Sequence, residues 1–164
     1  MKKVVKFGGS SLASAEQFRK VSEIIHADKD RRYVVPSAPG KRGSKDTKVT
    51  DMLYDCYSAA GDAESLTKKM AAIQARYQEI IDGLGLELSL DEQFKEIRER
   101  FEQHAGSDYA ASRGEYLNGI VLAAYLEYDF IDAAEVICFD EDGVFDAEKT
   151  DEKMRARLGE TERA

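Results

Sequence analysis

Near its start the chain runs Val4-Val5-Lys6-Phe7-Gly8-Gly9-Ser10-Ser11-Leu12: an apolar stretch that carries a lysine near its end and breaks into two glycines and two hydroxyls. Glycines at such a break let a phosphate approach the backbone, and the amides that follow, with the N-terminus of the next helix, favour negative charge. Lys6 supplies a mobile cation for the same phosphate. The candidate phosphate-binding set is therefore Lys6, Gly8, Gly9 and Ser10. It is not a Walker A loop, because the lysine precedes the glycines and the G-x-x-x-x-G-K-[ST] spacing is absent. Ser14 and Gln17 have the spacing of a capping box, which opens a helix directly after the turn.

Two further constellations carry polar chemistry. Val34-Val35-Pro36-Ser37-Ala38-Pro39-Gly40 ends in a turn, and Lys48-Val49-Thr50-Asp51-Met52-Leu53 begins the next helix. Thr50 reads as the N-cap of that helix, beside free backbone amides that can hold a carboxylate. Between them Lys41, Arg42, Lys45 and Lys48 form a basic cluster, read either as a solvated surface loop or as an electropositive lid over an acidic substrate. The third constellation is Ser112-Arg113-Gly114-Glu115-Tyr116-Leu117, inside a helix. A glycine in a helix interior costs about 1 kcal/mol relative to alanine, which makes sense where a backbone or a ligand passes close by. Glu115 beside it is a natural partner for an ammonium group.

The elements that must position these residues follow from hydrophobic periodicity. Residues 2–7 form a buried strand, Phe18, Val21, Ile24 and Ile25 a helix over about 15–27, and Tyr33-Val34-Val35 a second strand ended by Pro36. This is a βαβ unit with parallel strands and a right-handed crossover. Ligands collect at the carboxyl ends of such strands, where Lys6–Gly9 and Ser37–Gly40 both fall. The middle of the chain is helical. Its stripes are Met52, Leu53, Cys56 and Tyr57; then Leu66, Met70, Ile73, Tyr77, Ile80 and Ile81; then Leu90, Phe94, Ile97 and Phe101, opened by a capping box at Ser89. Another helix runs from Asp108 to Tyr128 with Leu117, Ile120, Val121, Ala124 and Tyr125 inward. Strands are expected at 130–133 and 136–139, and a last helix at 151–158.

Composition bounds the function. With 164 residues, 43% hydrophobic and 34% charged, the chain suits one soluble domain with a real core. The net charge of −8 argues against nucleic acid as a partner. No apolar run approaches the roughly 20 residues of a membrane helix, and Met1-Lys2-Lys3 with its short strand is too brief for a signal peptide. Cys56 and Cys138 match no metal spacing and read as reduced thiols of a cytoplasmic protein. His26 and His104 receive no chemistry. Asp140-Glu141-Asp142-Gly143 lacks the ligand spacing of an EF-hand loop, so no metal ligand is assigned.

The string Lys6-Phe7-Gly8-Gly9-Ser10-Ser11, with Ser37–Gly40, Thr50 and Ser112-Arg113-Gly114-Glu115 in the same order, resembles the aspartokinases of the amino-acid kinase superfamily. The resemblance implies an α/β fold, a three-layer αβα sandwich with a mainly parallel sheet, here truncated and with a helix-rich middle. It implies transfer of the γ-phosphoryl of ATP to the side-chain carboxylate of L-aspartate, giving 4-phospho-L-aspartate, the first step toward lysine, threonine and methionine. Lys6 would be the catalytic cation, Gly8, Gly9 and Ser10 would hold the nucleotide phosphates, and Ser37, Thr50 and Glu115 would hold aspartate. Mg²⁺ would accompany the ATP. Arg113 stands where part of the family has histidine, and the 41–48 connection is longer than in most relatives. Aspartokinases are considerably longer, so residues 1–164 read as one domain, the N-terminal amino-acid-binding portion, inactive alone. A truncated sheet with a free edge implies a homo-oligomer. Another acceptor, glutamate or acetylglutamate, or a non-catalytic binding or assembly domain, are the competing readings.

Overall fold

The structure is a computed structural model describing all 164 residues. Strand β1 (Lys3–Phe7) leads through a 3₁₀ turn (Gly9–Leu12) into helix α1 (Ala15–His26) and strand β2 (Arg31–Pro36). The two strands pair in parallel, Val5 opposite Val34 and Lys6 opposite Val35, as the βαβ reading requires. Ser14 caps α1, its hydroxyl accepting from the amide of Gln17 at 3.4 Å. At the other edge of β2, Ala164 donates to the carbonyl of Arg32 (3.0 Å) and accepts from the amide of Val34 (2.7 Å). Ala164 thus runs alongside β2 on the side away from β1.

Helices α2 (Val49–Ser58), α3 (Ala63–Leu84), α4 (Asp91–Glu102) and α5 (Ser107–Leu126) form the helical middle. Asp62 caps α3 through the amides of Glu64 and Ser65, and Gly85 ends it at φ 71°, a left-handed position suited to glycine. The predicted stripes of α2, α3 and α4 pack together. Leu53, Cys56, Leu66, Ile73, Tyr77, Ile97 and Phe101 belong to one core with Phe18 and Ile25 of α1 and Leu117 and Val121 of α5. On α5 the buried positions include Leu122 and Leu126, whereas Ala124 is exposed. Apolar residues surround α5 on several sides because it packs on α2 and on β2 at once.

Four local expectations are corrected. Residues 130–132 are not a strand, and Ala133–Val136 form the short helix α6, capped by the Asp132 carboxylate, which accepts from the amide of Ala134. Asp132 favours that cap over continued strand. Phe139 pairs only with Phe145, in a single antiparallel bridge around the acidic turn. The last helix, α7, spans Ala147–Gly159, starting earlier than expected because Asp146 caps it. Ser89 makes no capping box: α4 begins at Asp91, whose amide donates to the Ser89 hydroxyl.

Candidate active site

The turn after β1 and the turn after β2 lie against each other. The amide of Gly40 donates to the carbonyl of Gly9 at 2.8 Å, and the amide of Ser37 donates to the carbonyl of Phe7 at 3.0 Å. Both glycines are required for this approach. A Cβ on Gly9 would stand 2.8 Å from the carbonyl oxygen of Ala38, and one on Gly40 would stand 2.6 Å from the carbonyl carbon of Gly9. The sequence reading assigned Gly9 to a phosphate. Here its lack of a side chain is already used by the second turn, while Gly8 is exposed and a Cβ there would meet nothing within 4 Å.

Lys6 is exposed, and none of the ion pairs of the chain uses it. Strand pairing places it on the same sheet face as Val35 and, two residues back, Val4. Val4 and Val35 line a cleft of about 900 Å³ between the sheet, α5 and the segment 128–137. Thr50, Ser112, Arg113 and Glu115 line the same cleft. Thr50, however, is not the N-cap of α2. Lys48 occupies that position, and Thr50 sits half-buried in the first turn, one residue into the helix. The helix begins earlier because the amide of Val49 donates to the carbonyl of Pro39, which anchors it directly to the second turn.

Gly114 explains how α5 comes so close. A Cβ there would stand 2.6 Å from the Cβ of Ala38 and 3.4 Å from Leu53. The glycine in the helix therefore accommodates the Ser37–Gly40 turn and α2, and Glu115 follows it at the rim, exposed. The carbonyl of Gly114 accepts from the buried hydroxyl of Tyr77 at 2.8 Å. Burial pushes that phenol well above its usual value, with the Glu115 charge acting in the same direction. Arg113 stacks between Tyr109 and Tyr116, 4.5 and 4.6 Å from the ring centres, and donates to the Ser112 hydroxyl.

The basic loop 41–48 is partly neutralised from within. Arg42 pairs with Asp46 (2.9 Å) and Glu79 (2.6 Å). Asp46 also pairs, at 2.6 Å, with Arg76 of α3, whose side chain is only 4% exposed. Of the four cations in the cluster only Arg42 is paired; Lys41, Lys45 and Lys48 are exposed and enter no ion pair. Arg76, Asp46 and Asn118 were missed in the sequence. Two of them left a signal: Arg76 lies on the face of α3 that carries Ile73 and Tyr77, and Asn118 lies beside Leu117 on α5, each a polar residue on an apolar stripe.

This architecture places the chain in a known class. It belongs to the amino acid kinase family, whose profile matches residues 1–162. It is similar to aspartokinase 3 of Bacillus subtilis (strain 168), 40% identical over 145 residues. It is also similar in structure to the aspartate kinase of Clostridium acetobutylicum, at a TM-score of 0.93 and 47% identity over the whole of this chain. Aspartokinase III of E. coli shares the fold at a TM-score of 0.75 and 21% identity, over 98% of this chain and 39% of its own. The α/β reading thus holds. The B. subtilis match covers 82% of this chain and 31% of that protein, and the C. acetobutylicum match covers 38% of that chain. The 164 residues therefore span about a third of the length of these relatives.

Proposed function

We propose that this chain carries the acceptor and phosphate-binding side of an aspartate kinase site, which moves the γ-phosphoryl of ATP to the side-chain carboxylate of L-aspartate. The observation that carries this reading is the contact of the two turns at the strand ends, Gly9 against Gly40. It brings the glycine turn that follows Lys6 against the Ser37–Gly40 turn, which itself packs on Gly114, next to Glu115. The likeness to the C. acetobutylicum enzyme over the full chain supports the acceptor. The E. coli enzyme of the same fold was solved with aspartate and ADP.

Phosphoryl transfer asks little covalent chemistry of the protein and much positioning. An oxygen of the aspartate side-chain carboxylate attacks the γ-phosphorus in line. The bond to the β–γ bridging oxygen breaks, and ADP leaves with its electron pair. The acceptor is already ionised at neutral pH, so no base must take a proton. Lys6 neutralises charge developing on the transferring group, and the amides of Gly8, Gly9 and Ser10 add fixed dipoles. Ser37 and Thr50 hold the acceptor, and Glu115 pairs with its ammonium, separating an amino acid from a plain dicarboxylate. No three His, Cys, Asp or Glu side chains cluster here to hold a metal. Mg²⁺ would accompany the nucleotide and screen the charge of its phosphates.

The reading includes one cooperative domain over 1–164 and self-association through the outer edge of β1, which pairs only with β2 and exposes Val4. Sedimentation across a range of concentrations tests the latter; a strictly monomeric mass removes it. The central test is an amide NMR titration of the 164-residue chain with L-aspartate, run beside L-glutamate. Shifts specific to aspartate at Ser37, Thr50 and Glu115 support the acceptor; shifts with both ligands alike, or a folded spectrum unmoved by either, count against it.

A further inference from the structure

We infer that Arg76 is a positioning residue that holds the phosphate turn and the acceptor turn at a fixed separation. The inference rests on the proposed function for the meaning of the two turns, but not for the clamp itself. Arg76 sits in the middle of α3 between core residues Ile73 and Tyr77 and is almost wholly buried. Its Nη2 donates to two carbonyls at once, Ala13 at 3.1 Å and Gly40 at 2.8 Å. Its Nη1 donates to the carboxylate of Asp46 at 2.6 Å.

These three partners belong to three different segments, and each segment carries part of the candidate site. Ala13 directly follows the 3₁₀ turn that contains Gly9 and Ser10. Gly40 closes the turn that begins at Ser37, and Asp46 lies four residues before Thr50. One planar guanidinium therefore joins the ends of the phosphate turn, the acceptor turn and the loop into α2. Packing alone does not call for this residue, since a buried charge is costly to desolvate and an apolar side chain of similar volume often serves a core as well or better. Nor does the charge alone call for it: a lysine could pair with Asp46, but its single ammonium lacks the flat fork that reaches carbonyls and carboxylate together. The rigid α3, with its capped N-terminus and core face, makes the fork a fixed reference point. The direct bond between Gly40 and Gly9 then closes the arrangement.

The test compares the wild-type chain with Arg76→Lys and Asp46→Asn by amide hydrogen exchange and by aspartate titration. In Arg76→Lys the amides of Ser11 and Gly40, which close the two turns, should exchange tenfold or more faster, while core amides such as those of Tyr77 and Val121 stay within about twofold. Asp46→Asn, which keeps both carbonyl bonds, should change the same two amides in the same direction but less. Aspartate affinity should fall in the same order. Unchanged protection of Ser11 and Gly40 in both variants overturns the clamp. So does loss of protection at every amide alike in both, which would make Arg76 a support of the fold at large. If the wild-type chain shows no aspartate response, the proposed acceptor falls while the exchange pattern still decides the clamp.

Discussion

Asn118, with no solvent exposure on α5, donates its side-chain amide to the main-chain carbonyl of Ser37 at 2.7 Å. The helix that presents Glu115 and the turn that presents Ser37 are thereby tied by one part-buried bond across 81 residues of sequence. The Oδ1 of the same side chain is buried without a partner. Asn118→Leu fills similar space and removes that orphan, but it leaves the Ser37 carbonyl unsatisfied. Stranding a fully buried acceptor costs about 1–3 kcal/mol. Ser37 is half-buried, so urea melts should show a loss at the low end, about 1 kcal/mol, together with weaker aspartate shifts at Ser37. A variant as stable as wild type, with the Ser37 shifts intact, would show that the bond positions nothing.

Gly114 offers a test in which two effects have opposite signs. Helix propensity favours alanine over glycine by about 1 kcal/mol. The new Cβ, however, would stand 2.6 Å from that of Ala38, a buried residue of the Ser37–Gly40 turn, and overpacking costs about 1–3 kcal/mol. The contact should win, making Gly114→Ala less stable by up to about 2 kcal/mol in denaturant melts. Gly61→Ala is the control, because a Cβ there meets nothing within 4 Å; it should change stability by less than about 0.5 kcal/mol. A stabilised Gly114→Ala would mean that α5 does not need to approach the turn so closely.

Lys6 and Glu115 are both exposed, so replacing either should leave melting within about 0.5 kcal/mol of wild type. Their binding effects should separate. By titration calorimetry, Lys6→Met should weaken ATP tenfold or more and leave aspartate nearly unchanged, whereas Glu115→Gln should do the reverse. Crossed or equal effects on the two ligands would undo the division of the site into a phosphate side and an acceptor side.

Much of this was legible because it is local. The βαβ unit, the Ser14 cap and the core stripes of α2, α3 and α4 are periodic patterns that packing reinforces. The placement of Lys6 and the Ser37–Gly40 turn at strand ends followed from the same unit. What escaped depends on contacts distant in sequence. Nothing near Gly9 says that Gly40 will occupy the space its missing side chain leaves. Nothing in the run Lys41–Lys48 says that Asp46 will be drawn to a buried Arg76. The strands expected at 130–139 failed for a different reason: a short apolar run is ambiguous, and Asp132 settled it by capping a helical turn instead.

Acid should expose the Asp46 pairing. Its carboxyl accepts first from the Arg42 side chain, then from the Arg42 amide and from Arg76, and these hold it far below the usual carboxylate range. Because the folded value lies under the unfolded value of about 3.9, the folded chain binds fewer protons at this site. The stability it contributes is complete above that unfolded value and is lost as pH falls from it toward the folded one. Asp28, Glu16 and Asp146 are shifted the same way by their own partners, so the wild-type acid limb is a sum, and the informative quantity is a difference. Urea melts at pH 7, 4, 3 and 2 should show Asp46→Asn less stable than wild type by a margin that is full at pH 7, has begun to shrink at about pH 4 and shrinks further at pH 3 and again at pH 2. A margin that stays level through pH 2 would mean that the Asp46 charge adds nothing to the fold, and that its hold on Arg76 survives as an ordinary neutral hydrogen bond.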